Sequence, residues 1–375
     1  MSAGGDKSLL ERVEFPTIPA EAQRQIAHLQ EEFMRAEVEK LRQSIPLQSP
    51  LFKKREEIVS GNPKVQEEFW GRVFAAAPQE IDDYILPADI AVIGEALSDF
   101  KVERFECNEK GEGEPRSLRF TFTFKTGEEN PYFENDKLVK EFYWRKHIVR
   151  TSSGKRRTWE GLVSDPVRIN WKKDQDVTKG LLDATCNLFD AEKKKGGERS
   201  KLPEYEALVH KLEELEAEAM THEHDHGEDE ECDDDDEYTS PSGNSFFNWF
   251  GYRGRDVTAA QSKEAEKEDE ERWVKISKGE KVEEDDEEDD DDEDIDELVD
   301  DLEEAEAFPD GDELAFAFAD DLWTDAMKYY IQSFELGDDL DELDLDELNA
   351  DMMEEDSDED EEEDAKSHPR KKVRT

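Results

Sequence analysis

The sequence predicts an α+β protein: a long N-terminal helix, a domain of antiparallel strands and helices, and long acidic segments with no core of their own. Three observations predict it. After Ala20 an apolar face recurs at helical spacing. At Leu118–Phe124 the pattern switches to strict apolar/polar alternation. The charge is also sharply divided: residues 1–220 hold 42 acidic and 35 basic side chains, whereas residues 221–375 hold 63 and 14. With a net charge of −56 and 34% hydrophobic residues, the chain lacks the apolar surface to offset the entropy of ordering all of its length.

Residues 1–19 are polar and read as a flexible N-terminus. Over residues 20–60, Ile26, Leu29, Phe33 and Ala36 share one helix face, and Leu41 and Ile45 continue it. Pro46 and Pro50 then interrupt the pattern, so a kink is expected before the helical stretch Leu51–Val59. As one bent rod the two stretches span about 55 Å. A small domain cannot cover such a rod, and the simplest cover is its own copy. A homodimer seam is therefore expected at Ile26, Leu29, Phe33, Ala36 and Leu41.

Residues 61–190 read as the packed domain. Phe69, Trp70, Val73 and Phe74 mark one helix, and Ile81–Leu97 is helix-like with Asp89 as its N-cap. Leu118, Phe120, Phe122 and Phe124 define a half-buried strand. Leu138–Trp144 and Val167–Trp171 follow as strands, the hairpin tip at Ser152-Ser153-Gly154 makes the sheet antiparallel, and Val177–Phe189 is helical. Residues 191–244 read as a loop with a polar helix, Leu202–Met220, and an acidic run. Residues 245–250, Ser-Phe-Phe-Asn-Trp-Phe, read as a returning core segment, because burying four large aromatics is worth several kcal/mol. Residues 251–311 read as an acidic disordered insertion, with twelve consecutive acids from Glu283 to Asp294. Residues 312–336 form the last helix, with Leu314, Phe318, Leu322 and Trp323 available to the sheet, and residues 337–375 are an acidic tail with a basic tip.

Several functions are excluded or disfavoured. No apolar run is long enough to cross a membrane, and Met1–Leu10 has no apolar core of a secretory signal. Cys107, Cys186 and Cys232 are few and scattered, as expected of free thiols in a reducing compartment. No nucleophile motif or phosphate-binding glycine loop occurs, and unpositioned carboxylates do not acquire the tuned pKa values that acid–base catalysis needs, so no enzyme and no cofactor are expected. His222, His224 and His226, near Asp225, Glu228 and Cys232, lack the paired spacing of a structural zinc site, and no metal is expected. The partner suited to this much negative charge is a strongly basic protein. One basic hairpin, Arg145, Lys146, Arg150, Lys155, Arg156 and Arg157, suits DNA phosphates, chromatin-modifying enzymes or an import receptor, and equally suits a solvated tip. The tip residues Arg370, Lys371, Lys372 and Arg374 read as a nuclear-import signal, so a nuclear protein, shuttling with the cytoplasm, is expected.

Four ordered motifs carry a resemblance. They are Ser49–Val59 (S-P-L-F-K-K-R-E-E-I-V), Glu129–Asn135 (E-N-P-Y-F-E-N), Ser245–Phe250 (S-F-F-N-W-F) and Asp320–Ile331 (D-D-L-W-T-D-A-M-K-Y-Y-I). Together they resemble the nucleosome assembly protein family of histone chaperones. Ile169–Lys179 (I-N-W-K-K-D-Q-D-V-T-K) is more similar to its SET branch, also called template-activating factor I. The resemblance implies a long helix paired with its twofold mate as a coiled coil, and an "earmuff" of antiparallel strands and helices at each end. It implies binding of core histones by the earmuff underside and acidic tails, in nucleosome assembly or disassembly without ATP. By motif position the histone contacts fall on Asn248, Asp312 and Glu313. The alternative is an acidic binding protein outside chromatin, such as a phosphatase inhibitor or scaffold.

Overall fold

The structure, a computed structural model, describes residues 19–150, 156–196, 199–224, 244–278, 280 and 305–342. Helix α1 runs unbroken over Ala20–Ser60, 41 residues, with both Pro46 and Pro50 inside it. The expected interruption is absent. The two prolines are exposed and four residues apart, so the hydrogen bonds they forgo fall on one side of the helix. Pro46 leaves the Arg42 carbonyl without its helical donor. The Gly111 turn packs on that oxygen: a Cβ at Gly111, where φ is 84°, would stand 2.3 Å from it.

Helices α2 (Pro63–Ala75), α3 (Gln79–Asp82) and α4 (Pro87–Ala96) follow, and α4 passes directly into strand β1 (Leu97–Glu103). Strands β2 (Leu118–Phe124), β3 (Lys137–Arg150) and β4 (Arg156–Ser164) complete an antiparallel sheet in sequence order. In β2 the predicted alternation holds, with Leu118, Phe120, Phe122 and Phe124 all buried. The sequence reading missed β1 because only Leu97, Phe100 and Val102 face the core between polar neighbours. Val167–Trp171 is not a strand; Trp171 makes one isolated bridge with Phe133. Beyond the sheet, α5 (Leu181–Lys195) and α6 (Pro203–His224) share a second small core of Leu181, Leu188, Leu208 and Leu215.

The covered face of the sheet is filled by Trp70 and Phe74 of α2, against Phe100 and Phe122, and by residues that return from far along the chain. The 3₁₀ turn Phe246–Gly251 places Phe246, Phe247, Trp249 and Phe250 in the core. The Trp249 ring lies 5.2 Å from Phe120, 5.1 Å from Phe142 and 5.5 Å from Phe318. Asp89 fixes the turn. It is the third residue of α4 rather than its N-cap: it accepts from the Leu86 N–H at 3.1 Å, from the Ser245 hydroxyl at 2.5 Å and from the Phe246 N–H at 2.7 Å. Burial raises its pKa against these hydrogen bonds.

Two further elements differ from expectation. The last helix is divided into α8 (Gly311–Ala317), a π-helical turn (Phe318–Leu322) and α9 (Ala326–Glu342). The wider turn buries Phe318, Ala319 and Leu322 together. Within the insertion expected to be disordered, Ala259–Ser277 forms helix α7, opened by a Thr258–Gln261 capping box. Its apolar residues are too sparse to give a periodic signal, and charge contacts hold it.

Candidate functional site

Three surfaces carry the side chains that the sequence singled out. On α1, Ile26, Leu29 and Phe33 are 46–64% exposed, and Ala36 is exposed beside them. Leu41 faces the other way, lining a cavity of about 590 Å³ between α1 and β1, so it is not part of the exposed face. The stripe continues instead through Leu47, Leu51 and Ile58, 56–73% exposed. These recur at helical spacing with the first three, but Pro46 and Pro50 hid the continuity from sequence reading.

Behind the stripe, Arg55 fastens α1 to the body. Its guanidinium lies 4.0 Å from the centre of the Trp323 ring and 5.5 Å from that of Trp70, two indoles stacked 5.5 Å apart. It also donates to the Trp323 carbonyl. Burial lowers its pKa to about 10, so it remains a cation at neutral pH.

The second surface is acidic and is built by α3, α8 and the turn into α9. The Tyr84 hydroxyl donates to Asp310 at 3.2 Å, and the Tyr329 hydroxyl donates to Asp321 at 2.6 Å. Asp83 and Glu313 add their charge around Tyr84, and Glu80 and Asp325 around Tyr329. Burial and these carboxylates push the Tyr84 pKa up to about 12 and raise that of Tyr329. The tyrosines therefore act as fixed donors that hold two carboxylates in place, while Glu313 and Asp325 are exposed beside them. Asp312 and Glu313 lie in the first turn of α8, where a helix favours carboxylates. Asp312 does not cap it: the N-cap is Asp310. Asp312 is half-buried, and burial raises its pKa.

Asn248, expected at this surface, lies instead in the aromatic core at 1% exposure, with its Oδ1 buried and unpartnered. A partner cannot reach it in this fold. The Glu129–Asn135 motif is likewise structural. Asn130 accepts from the Tyr132 and Phe133 N–H groups at 3.0 and 3.3 Å, and the turn inserts Phe133 between Phe124 and Trp171.

The third surface is the basic hairpin. Arg145 pairs with Glu106 at 3.0 Å, and Lys146, Arg150 and Arg156 face α7. Lys155, the acidic run Glu283–Asp294 and the tip residues Arg370, Lys371, Lys372 and Arg374 lie outside the described residues. Among the described residues no cluster of His, Cys, Asp or Glu could hold a metal ion, and no helix is long and apolar enough to cross a membrane.

The body thus presents a carboxylate-lined face, and the helix that carries it leaves an apolar stripe exposed among the described residues. The sequence profile of the nucleosome assembly protein (NAP) family matches residues 19–333. The chain belongs to that family. It is 35% identical over 173 residues to a candidate nucleosome assembly protein of Schizosaccharomyces pombe, covering 46% of this chain and 66% of that one. It is 32% identical over 136 residues to Protein SET of Drosophila melanogaster, covering 36% of this chain and 43% of that one. The matches thus span less than two thirds of either relative. Among solved structures, the crystal structure of a Ccp1 mutant is similar to 85% of this chain over 98% of its own length, at 23% identity and a TM-score of 0.45.

Proposed function

We propose that this chain is a histone chaperone that works as a homodimer, without ATP, binding core histones through the acidic face of α3, α8 and α9. The observation that carries the reading is the pair of tyrosine-anchored carboxylates, Asp310 and Asp321, flanked by exposed Glu313 and Asp325. Fixed acids at defined spacing can discriminate a folded basic surface from a polycation. The acidic segments supply long-range attraction, screened beyond about 8 Å at physiological salt.

Asp312 is too enclosed for charge reversal, so the test uses Glu313→Lys with Asp325→Lys. The control changes two acids of Glu283–Asp294 to Lys, an equal change in net charge. The face variant is expected to bind core histones more than tenfold more weakly than the control, at about 1–3 kcal/mol per charge-assisted contact. Equal binding by the two variants overturns the site. Equal binding of histones and polylysine by the parent protein favours an acidic scaffold outside chromatin.

The α1 stripe supports the homodimer. Sedimentation equilibrium in high salt should give twice the monomer mass, and Leu47→Lys with Leu51→Lys should give the monomer. Nuclear import by the tip is tested by replacing Arg370, Lys371, Lys372 and Arg374 with Ala. An unchanged nuclear level of that variant rejects the signal.

A further inference from the structure

Helix α7 lies across a seat of four cations drawn from three elements. Its Asp269 accepts from Lys146 Nζ at 2.7 Å and Arg156 Nη2 at 3.1 Å, and lies 3.4 Å from Arg35 Nη2. Glu270 accepts from Arg35 Nη1 at 2.8 Å, and Glu268 from Arg150 Nη2 at 3.1 Å. Two acids outside α7 also face the seat: Glu160, 2.7 Å from Lys146, and Glu31, 2.7 Å from Arg35. The Trp273 ring closes one end, 4.9 Å from His28 and 4.5 Å from the Arg35 guanidinium. The Ser262 hydroxyl accepts from the Lys146 N–H at 3.1 Å, where β3 has outrun β2.

Three consecutive carboxylates on a helix thus occupy four positioned cations, of which three are arginines. The seat is anion-shaped, and what fills it is an acidic strip of the same chain. We propose that the seat binds the phosphate backbone of duplex DNA, that α7 masks it in the free protein, and that a basic partner drawing α7 away opens it. The first two parts stand on geometry; the third rests on the chaperone reading.

Several features favour DNA. An incoming ligand must displace a tethered acidic strip, which requires a polyanion of high charge density, and duplex DNA carries one charge per about 1.7 Å. Guanidinium forks take phosphate oxygens as readily as carboxylates. The mask is releasable: only Ser262 and Ala265 of α7 are buried, and its own Lys263, Lys267, Arg272 and Lys275 offset its acids. A basic protein attracted to the acids from Glu280 onward competes for α7, so DNA and that protein would each aid the binding of the other.

The test uses the full chain. Glu268→Gln, Asp269→Asn and Glu270→Gln together remove the mask. Glu264→Gln, Glu271→Gln and Glu280→Gln change the net charge equally without touching the seat. With a duplex of about 30 base pairs in about 50 mM salt, the unmasked variant is expected to bind at least tenfold more tightly than parent or control, with a log–log salt slope near −3.6 for four phosphate contacts. Adding Lys146→Gln and Arg150→Gln should abolish the gain. In the parent protein, DNA should speed amide exchange across residues 259–277 while 246–251 stay protected. An equal gain in the control, no gain in the unmasked variant, or DNA bound with α7 still protected overturns the proposal. Core-histone binding by the same proteins separates the two readings. If histones bind but DNA affinity does not rise, the seat fails alone. If DNA affinity rises but histones bind no better than polylysine, the chaperone reading fails alone.

Discussion

Two neighbouring stretches of the chain attach to the body by opposite means. Residues 246–251 enter as a dry plug, with four aromatic side chains at 0–1% exposure and a carboxylate, Asp89, holding their backbone. Helix α7 returns on ion pairs across a basic seat, open to solvent at Glu268 and Glu270 and enclosed at Asp269. Aromatic burial is insensitive to salt, whereas the exposed pairs at Glu270 and Glu268 weaken as salt rises, and the enclosed Asp269 pairs weaken less. The first attachment is therefore part of the fold and the second is adjustable, although only residues 252–258 separate them.

The largest expected effect lies in the plug. Trp249→Ala leaves a cavity beside Phe120, Phe142 and Phe318, and should lower unfolding stability by about 3–5 kcal/mol. The loss should be equal in low and high salt by denaturant titration, and a salt-dependent loss would break the contrast.

Next comes Lys140, whose ammonium donates to the Asp165, Phe250 and Tyr252 carbonyls at 3.0, 3.1 and 2.7 Å and so ties the plug to the sheet. Burial lowers its pKa to about 7, against about 10.4 in the unfolded chain. Between those values the unfolded state binds more protons, so stability rises with pH by up to about 1.4 kcal/mol per unit. Below pH 7 both states hold the proton and the contribution is flat. Denaturant titrations from pH 6 to pH 10 (about the span of the two pKa values) should show this rise in the parent protein and not in Lys140→Met.

Gly311→Ala is expected to cost less, about 1–3 kcal/mol, because the added Cβ would stand 2.4 Å from the Tyr252 ring. The smallest effect is at the exposed edge of α7. Glu270→Gln, which removes an exposed pair with Arg35, should cost about 1 kcal/mol or less in low salt and nothing measurable in high salt. Amide exchange within 259–277 should rise in that variant while 246–251 stay protected.

The sequence shows the plug and hides α7 for the same physical reason. Four aromatics between polar residues signal burial wherever they occur, so Ser245–Phe250 was legible, as was β2 with its strict alternation. A helix held by charge has no hydrophobic period, and its partners Lys146, Arg150 and Arg156 lie more than a hundred residues away in sequence. Asn248 was misplaced because a motif gives a position but not a side-chain direction. Glu313, placed by motif position, is exposed in the first turn of α8, a position that is a local feature of the sequence. Its companions Asp310, Asp321 and Asp325 were not singled out, since their grouping depends on Tyr84 and Tyr329 from different elements.

The late origin of the core's second layer has a consequence for how the protein is made. The sheet face carrying Phe100, Phe120 and Phe122 is complete once residue 164 has left the ribosome, yet the rings that cover it include Trp249, Phe318 and Trp323. At about 5–20 residues per second, the part of that face not already covered by Trp70 and Phe74 of α2 waits roughly ten seconds or more for its cover. A nascent chain with a finished but only partly covered sheet is prone to associate with its neighbours, and closure over such sequence separations is slow. The last layer thus acts as a checkpoint on completeness: a chain that ends before Phe318 has an open core and is exposed to degradation, whatever its acidic segments can bind.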